Sequence, residues 1–191
     1  VVLPEHVNGL NEYNQAIATE RSEVFFSAAV RLLKIFQRDM EINTVVLALL
    51  GDFITNDLHH DSAESNAVPP VDAAMFARNL LASGIQHVLN NTNVNLVLPC
   101  HSGNHGRITH KVHNAHESGH SLEYMMYRSL EQNLASSRLK WLVSRSYHSY
   151  LDVMGLKIRF HNGHGMRYAG GVGGLYIPVG QALRVWNRTR P

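Results

Sequence analysis

The chain of 191 residues holds one cysteine, two tryptophans and no long apolar run. The single thiol, Cys100, excludes an intramolecular disulfide framework and fits a reducing, cytoplasmic setting. No stretch approaches the about 18 consecutive apolar residues of a membrane helix, so no membrane partner is expected. The opening VVLPEHVNGLNEYN lacks the basic-then-apolar order of a secretion signal. Excess charge is scarce too: 17 Lys and Arg against 15 Asp and Glu leave +2 with histidines neutral. A balance this even gives no argument for nucleic acid from bulk charge.

Histidine is the abundant residue. The 13 histidines outnumber the six Phe and two Trp together. Imidazole suits metal binding and acid–base work, but so common a residue informs only where its context is specific. Hydrophobic content of 45% with 17% charged residues is ordinary for a folded chain of this length. Residues 1–191 are therefore expected to form a single domain with a substantial core.

Hydrophobic spacing predicts a layered α/β fold, with a β-sheet flanked by helices. Residues 20–40 place apolar side chains at 25, 29, 32, 33, 36 and 40, the stripe of a helix. TVVLALL (44–50) and VNLVLPC (94–100) are short, apolar and rich in β-branched residues, as expected of strands buried on both faces of a parallel sheet. Residues 51–70 read as a polar loop, and 71–91 as a helix despite Gly84, with Phe76, Leu80 and Leu81 on one side. A third helix is expected near 120–137, and strands in LKWLVSRSY and around LKIRF, with Gly155 as the turn between them. A short last helix is expected near Pro178, because proline suits a first helical turn. No internal repeat or linker divides the chain.

Three predicted strand ends carry polar residues flanked by glycine: GD at 51–52, GNH at 103–105 and NGHG at 162–165. In open α/β sheets, ligand sites gather beyond the carboxyl ends of strands. Asp52, on a tight turn, could bridge two cations through its two oxygens, or serve as a turn or helix-cap aspartate. Asn104 offers a neutral oxygen ligand, and His105 beside it could protonate a leaving oxygen; Asn and Gly could also make a simple turn. The glycines allow close backbone approach. His164, between two glycines, is a candidate metal ligand with His161 as its competitor, or a surface-loop histidine. Arg107 and Lys111 could hold a phosphate, and His59 and His60 could line the site mouth. His110, His113, His116 and His120 are spaced by three or four residues, yet Asn114 and Gly119 favour a basic loop over a helical metal face. GGVGG lacks the following GK[ST] of a phosphate-binding P-loop.

Together LLGDFITN, PCHSGNHGR and FHNGHGMRYAGGVGG resemble blocks of the calcineurin-like metallophosphoesterase superfamily, in that family's order and spanning about 51–174. The likeness is to the phage-type branch, in which a glycine-rich stretch follows HG and Gly106 stands where other members carry an acid. This resemblance implies a metallophosphoesterase-like β-sandwich flanked by helices and two divalent metal ions (Mn, Fe or Zn). It implies that Asp52 bridges the metals, that Asn104 and His164 bind the second, and that His105 assists catalysis. Metal-activated water would then hydrolyse a phosphomonoester or a phosphodiester, a nuclease substrate included. The family's Asp-x-His block does not precede Asp52, and its Gly-His-x-His block does not follow His164. Residues 1–191 are thus expected to be the central part of a longer enzyme, or a split product, with the missing metal ligands in flanking sequence. An alternative is a non-catalytic phosphate- or nucleic-acid-binding relative with a degenerate metal site.

Overall fold

A computed structural model describes residues 5–6, 12–58, 63–64, 66–113, 116–166, 174 and 176–188. Its chain is α/β: helices on a three-stranded parallel sheet, with a small antiparallel hairpin beside it. Two short strands, β1 (Glu5–His6) and β2 (Glu12–Tyr13), pair antiparallel before the first helix.

Helix α1 (Gln15–Phe36) starts where the Asn14 carbonyl oxygen of the side chain accepts from the Ile17 N–H at 3.0 Å. It buries Ala18, Phe26, Val30 and Leu33. This corrects the expected stripe: Phe25, Leu32, Phe36 and Met40 are each at least half exposed. Apolar residues lie on two sides of this helix, so spacing alone does not choose a face. Helix α2 (Pro70–Asn91) makes the choice, because Gly84 leaves a notch for the Phe26 ring. A Cβ at Gly84 would lie 2.0 Å from Phe26 Cε2, so the glycine that weakens the helix in sequence is what lets α1 pack on it. The buried face of α2 is small near its start (Ala73, Ala74, Ala77) and larger near its end (Leu81, Ile85, Val88). Leu80 and Phe76 are only partly buried.

Strand β3 (Thr44–Val46) and strand β4 (Asn95–Cys100) pair in parallel from Thr44↔Asn95. The same register continues beyond β3, through Leu49↔Cys100 and the bond from His101 N–H to Leu49 C=O at 2.8 Å. The TVVLALL run is therefore extended to Leu49, but it lies at the edge of the described sheet and only Leu49 in it is fully buried, which corrects the expected burial on both faces. Strand β5 (Leu139–Val143) adds to the far side of β4, in parallel, after helix α3 (Leu122–Asn133). Helices α1, α2 and α3 pack side by side, and the core lies between them and the central strand: Leu96, Leu98 and Cys100 point into it, as do Ile85, Met126, Tyr127 and Leu130. Burying one such side chain contributes about 1.5–3 kcal/mol.

LKWLV thus belongs to the parallel sheet and does not pair across Gly155. That turn instead joins β6 (Ser149–Val153) to β7 (Leu156–Phe160), with Val153↔Leu156 closing a two-residue loop. Met154 and Gly155 have φ of 54° and 81°, the left-handed pair that a tight hairpin turn requires. The last helix, α4 (Tyr176–Arg188), begins two residues before Pro178. No described helix is long and apolar enough to cross a membrane.

Candidate active site

The GD and GNH turns meet backbone to backbone at the carboxyl ends of adjacent parallel strands. Gly51 has φ 87°, and a Cβ there would lie 2.2 Å from Gly103 N. A Cβ at Gly103 would in turn lie 2.0 Å from Asp52 Oδ1. Only glycine at both positions permits this approach. Asp52 itself sits in the left-handed region at φ 58°, a conformation that aspartate tolerates better than most residues. Its Oδ1 accepts from the His105 N–H at 3.1 Å. Asn104, His105 and Gly106 form a single 3-10 turn in which His105 is exposed and meets Asp52 through its backbone N–H.

The third strand end arrives from the hairpin. Asn162, just past β7, donates to the Leu50 carbonyl at 2.7 Å and to Asp52 Oδ2 at 3.4 Å. Its Oδ1 lies 2.9 Å from His164 Nδ1, so one asparagine links the GD turn to the histidine. His164 Nε2 faces Glu117 Oε2 at 3.3 Å, on a side chain that is 5% exposed. Both His164 Nε2 and Glu117 Oε1 are buried without a hydrogen-bond partner among the described residues. A second tether joins the hairpin to the sheet: His101 Nε2 lies 2.7 Å from Ser149 Oγ. Burial, with His161 and His148 nearby, depresses the His101 pKa to about 4.

The turns carrying Asp52, Asn104, His105 and His164 thus converge from three strand ends. His161, the competitor, packs its ring on His148 and Trp186, at centroid distances of 5.2 and 4.7 Å, and shares the Tyr147 ring with His164. Arg107 is buried, and its guanidinium donates to Asn104 C=O at 2.6 Å and Thr109 C=O at 3.0 Å, bracing the turn from behind. Lys111 is exposed. His110, His113, His116 and His120 are exposed along loop and 3-10 turn, as the sequence reading favoured. His59, His60 and most of GGVGG lie outside the described residues. Cys100 is fully buried at the end of β4, and desolvation pushes its thiol pKa far up, consistent with a core residue.

Sequence patterns gave no role to Glu123, and marked Asn162 only as part of NGHG, not as a link to Asp52. Glu123 lies on the buried stripe of α3 with Met126, Tyr127 and Leu130. A carboxylate at i of an i, i+3, i+4, i+7 apolar stripe was the available signal. It is 0% exposed; Oε1 accepts from the Phe53 N–H at 2.6 Å and Oε2 from the Gly103 N–H at 2.7 Å. Burial pushes its pKa up to about 7, although those two amides pull it down.

A carboxylate, an amide oxygen and an imidazole are a donor set suited to a divalent cation. Glu117 Oε1 is a buried acceptor without a hydrogen-bond partner among the described residues, whereas His164 Nε2 faces Glu117 Oε2. Among the described residues, however, no group of three or more His, Cys, Asp or Glu is arranged to hold a metal ion. The donor types of Asp52, Asn104 and His164 suit a cation, while both His164 nitrogens already face Asn162 and Glu117. No family model, no curated protein and no solved structure matches the chain.

Proposed function

We propose that this chain carries the strand-end half of a metal-dependent phosphoester hydrolase with a metallophosphoesterase-like sandwich, the β6–β7 hairpin serving as part of its second sheet. The observation that carries the reading is the linked chain from Asp52 through Asn162 to His164, beside Asn104 and His105. Three separate strand ends spend strained or sterically demanding backbone to bring these side chains together. Asp52, Asn104 and His164 would hold a divalent cation, which would supply an activated water and offset phosphoryl charge. His105, exposed on the turn whose backbone meets Asp52, would hand a proton to the leaving oxygen. The substrate is a phosphomonoester or phosphodiester, nucleic acid included.

The test is hydrolysis of bis(p-nitrophenyl) phosphate and of p-nitrophenyl phosphate with added Mn²⁺. Asn104→Ala and His105→Ala should each lower turnover at least about a hundredfold, with circular dichroism unchanged. Equal turnover in either variant and the parent chain would refute the assignment.

One observation favours the alternative, a phosphate-binding relative without catalysis: both Asp52 oxygens and both His164 nitrogens already face protein groups. Binding of inorganic phosphate with no hydrolysis under any of Mn²⁺, Fe²⁺ or Zn²⁺ would select that reading.

A further inference from the structure

We infer that Glu123 is a positioning residue that holds the Asp52 and Asn104 turns at their working separation; its chemical purpose rests on the phosphoesterase reading, while its geometry does not. Each of its oxygens takes a different turn. Oε1 accepts from Phe53 N–H, the amide directly after Asp52, and Oε2 from Gly103 N–H, the amide directly before Asn104. One rigid planar group therefore sets the distance between two ligand-bearing turns that belong to different strands.

The rest of the neighbourhood is built around that placement. Helix α3 starts at Ser121, whose Oγ accepts from the Tyr124 N–H at 3.3 Å, so Glu123 lies in a capped first turn. Met126, Tyr127 and Leu130 anchor the following turns in the core. Gly106 supplies the space: a Cβ there would lie 2.6 Å from Glu123 Cγ and 2.9 Å from its carboxyl carbon. The glycine that ends the GNH turn and the buried glutamate thus fit as a pair.

Only a glutamate meets these demands. Both partners are N–H donors, so both terminal atoms must accept. Glutamine would turn its NH₂ toward one of them, and aspartate is one methylene too short to span the gap. Desolvating a carboxylate offsets much of what two bonds contribute to stability. What the group supplies that an apolar residue cannot is a fixed geometry between the turns, the usual work of groups that orient ligands.

The test uses the full chain, with Mn²⁺ as probe, in three variants. Glu123→Gln breaks one bond. Gly106→Ala keeps the carboxylate but displaces it, and serves if the first variant does not fold. Leu130→Ala destabilises the same helix by opening a cavity, without touching either turn. Titration followed by electron paramagnetic resonance should show Mn²⁺ bound at least about tenfold more weakly by Glu123→Gln and by Gly106→Ala. Leu130→Ala should stay within twofold of the parent chain. In ¹⁵N–¹H spectra without metal, at a pH well above the Glu123 pKa of about 7, the Phe53 and Gly103 amide protons should lie far downfield, as charge-assisted bonds place them. In Glu123→Gln they should move upfield together with those of Asp52 and His105. Unchanged Asp52 and His105 amides overturn the positioning role, whether or not Mn²⁺ binds. Equal loss of Mn²⁺ affinity in Leu130→Ala overturns it too, since general destabilisation would then suffice. If the parent chain binds no Mn²⁺, metal binding by Asp52, Asn104 and His164 without flanking ligands falls, and the amide shifts alone decide the role of Glu123.

Discussion

Replacing Gly103 by alanine isolates the close approach on which the site depends. Gly103 has φ −94° and ψ 166°, extended backbone that alanine adopts without strain. Chain entropy alone would favour the variant by about 0.4–1 kcal/mol, through a less flexible unfolded state. Two effects oppose that gain. The new Cβ would lie 2.0 Å from Asp52 Oδ1 and 2.5 Å from Asp52 N, so the turns must part, an overpacking that costs about 1–3 kcal/mol. Parting them also stretches the 2.7 Å bond from Gly103 N–H to the buried Glu123 carboxylate, a bond to a charged group that contributes about 1.5–3 kcal/mol. The balance is a loss of about 2–5 kcal/mol, a large share of the about 5–15 kcal/mol that holds a domain folded. Urea unfolding at fixed pH should therefore show a midpoint lower by about 1–2 M at unchanged slope. Gly119→Ala is the control, because nothing lies within 4 Å of a Cβ there; it should stay within about 0.5 kcal/mol. A Gly103→Ala chain as stable as the Gly119→Ala chain would refute the account.

Gly84→Ala should destabilise the chain by about 1–3 kcal/mol, although alanine is the better helix former, because its Cβ would meet the Phe26 ring; a stabilised variant in the same urea assay would show that α1 does not pack there. His101 links pH to stability. Its folded pKa of about 4 lies below the about 6.5 of the unfolded chain, so the unfolded state binds more protons between those values. Stability should fall as pH is lowered from about 6.5 to about 4 and level off below, a loss of about 1–2 kcal/mol once solvent screening is allowed for. Thermal melting across that range should have a shallower slope in His101→Gln, and an identical slope would remove His101 as the cause. Cys100 should resist a thiol reagent in the folded chain and react at once in urea, since its thiol is buried and its pKa raised; rapid labelling of the native chain would contradict the position of β4.

The order of the helices and of the three parallel strands was legible from residue spacing, whereas β1, β2 and β6 were not. Short β-branched runs at 44–50 and 94–100 have few ways to be buried except as parallel strands, and both pair in one register through Leu49↔Cys100. Glycine-flanked polar triplets after those runs marked the turns, because few other side chains allow such sharp and close backbone. Spacing failed where a segment had apolar residues on two sides. For α1 the buried face was decided by Gly84 on another helix, and for LKWLV by the availability of an edge on β4.

The site divides in the same way. Asp52, Asn104, His105 and His164 could be named from local context, since turn geometry and ligand chemistry are properties of a few adjacent residues. Glu123 could not, and Asn162 was visible only as part of NGHG, not as the link to Asp52. Glu123 stands 70 residues from the amide it binds at Phe53, and Asn162 stands 110 from Asp52. Local chemistry is written in neighbouring side chains, but a partner across the fold exists only once the core has set the distance between helix, hairpin and sheet. The separation of the two turns is a tertiary quantity, held by a buried carboxylate and by missing Cβ atoms on both sides.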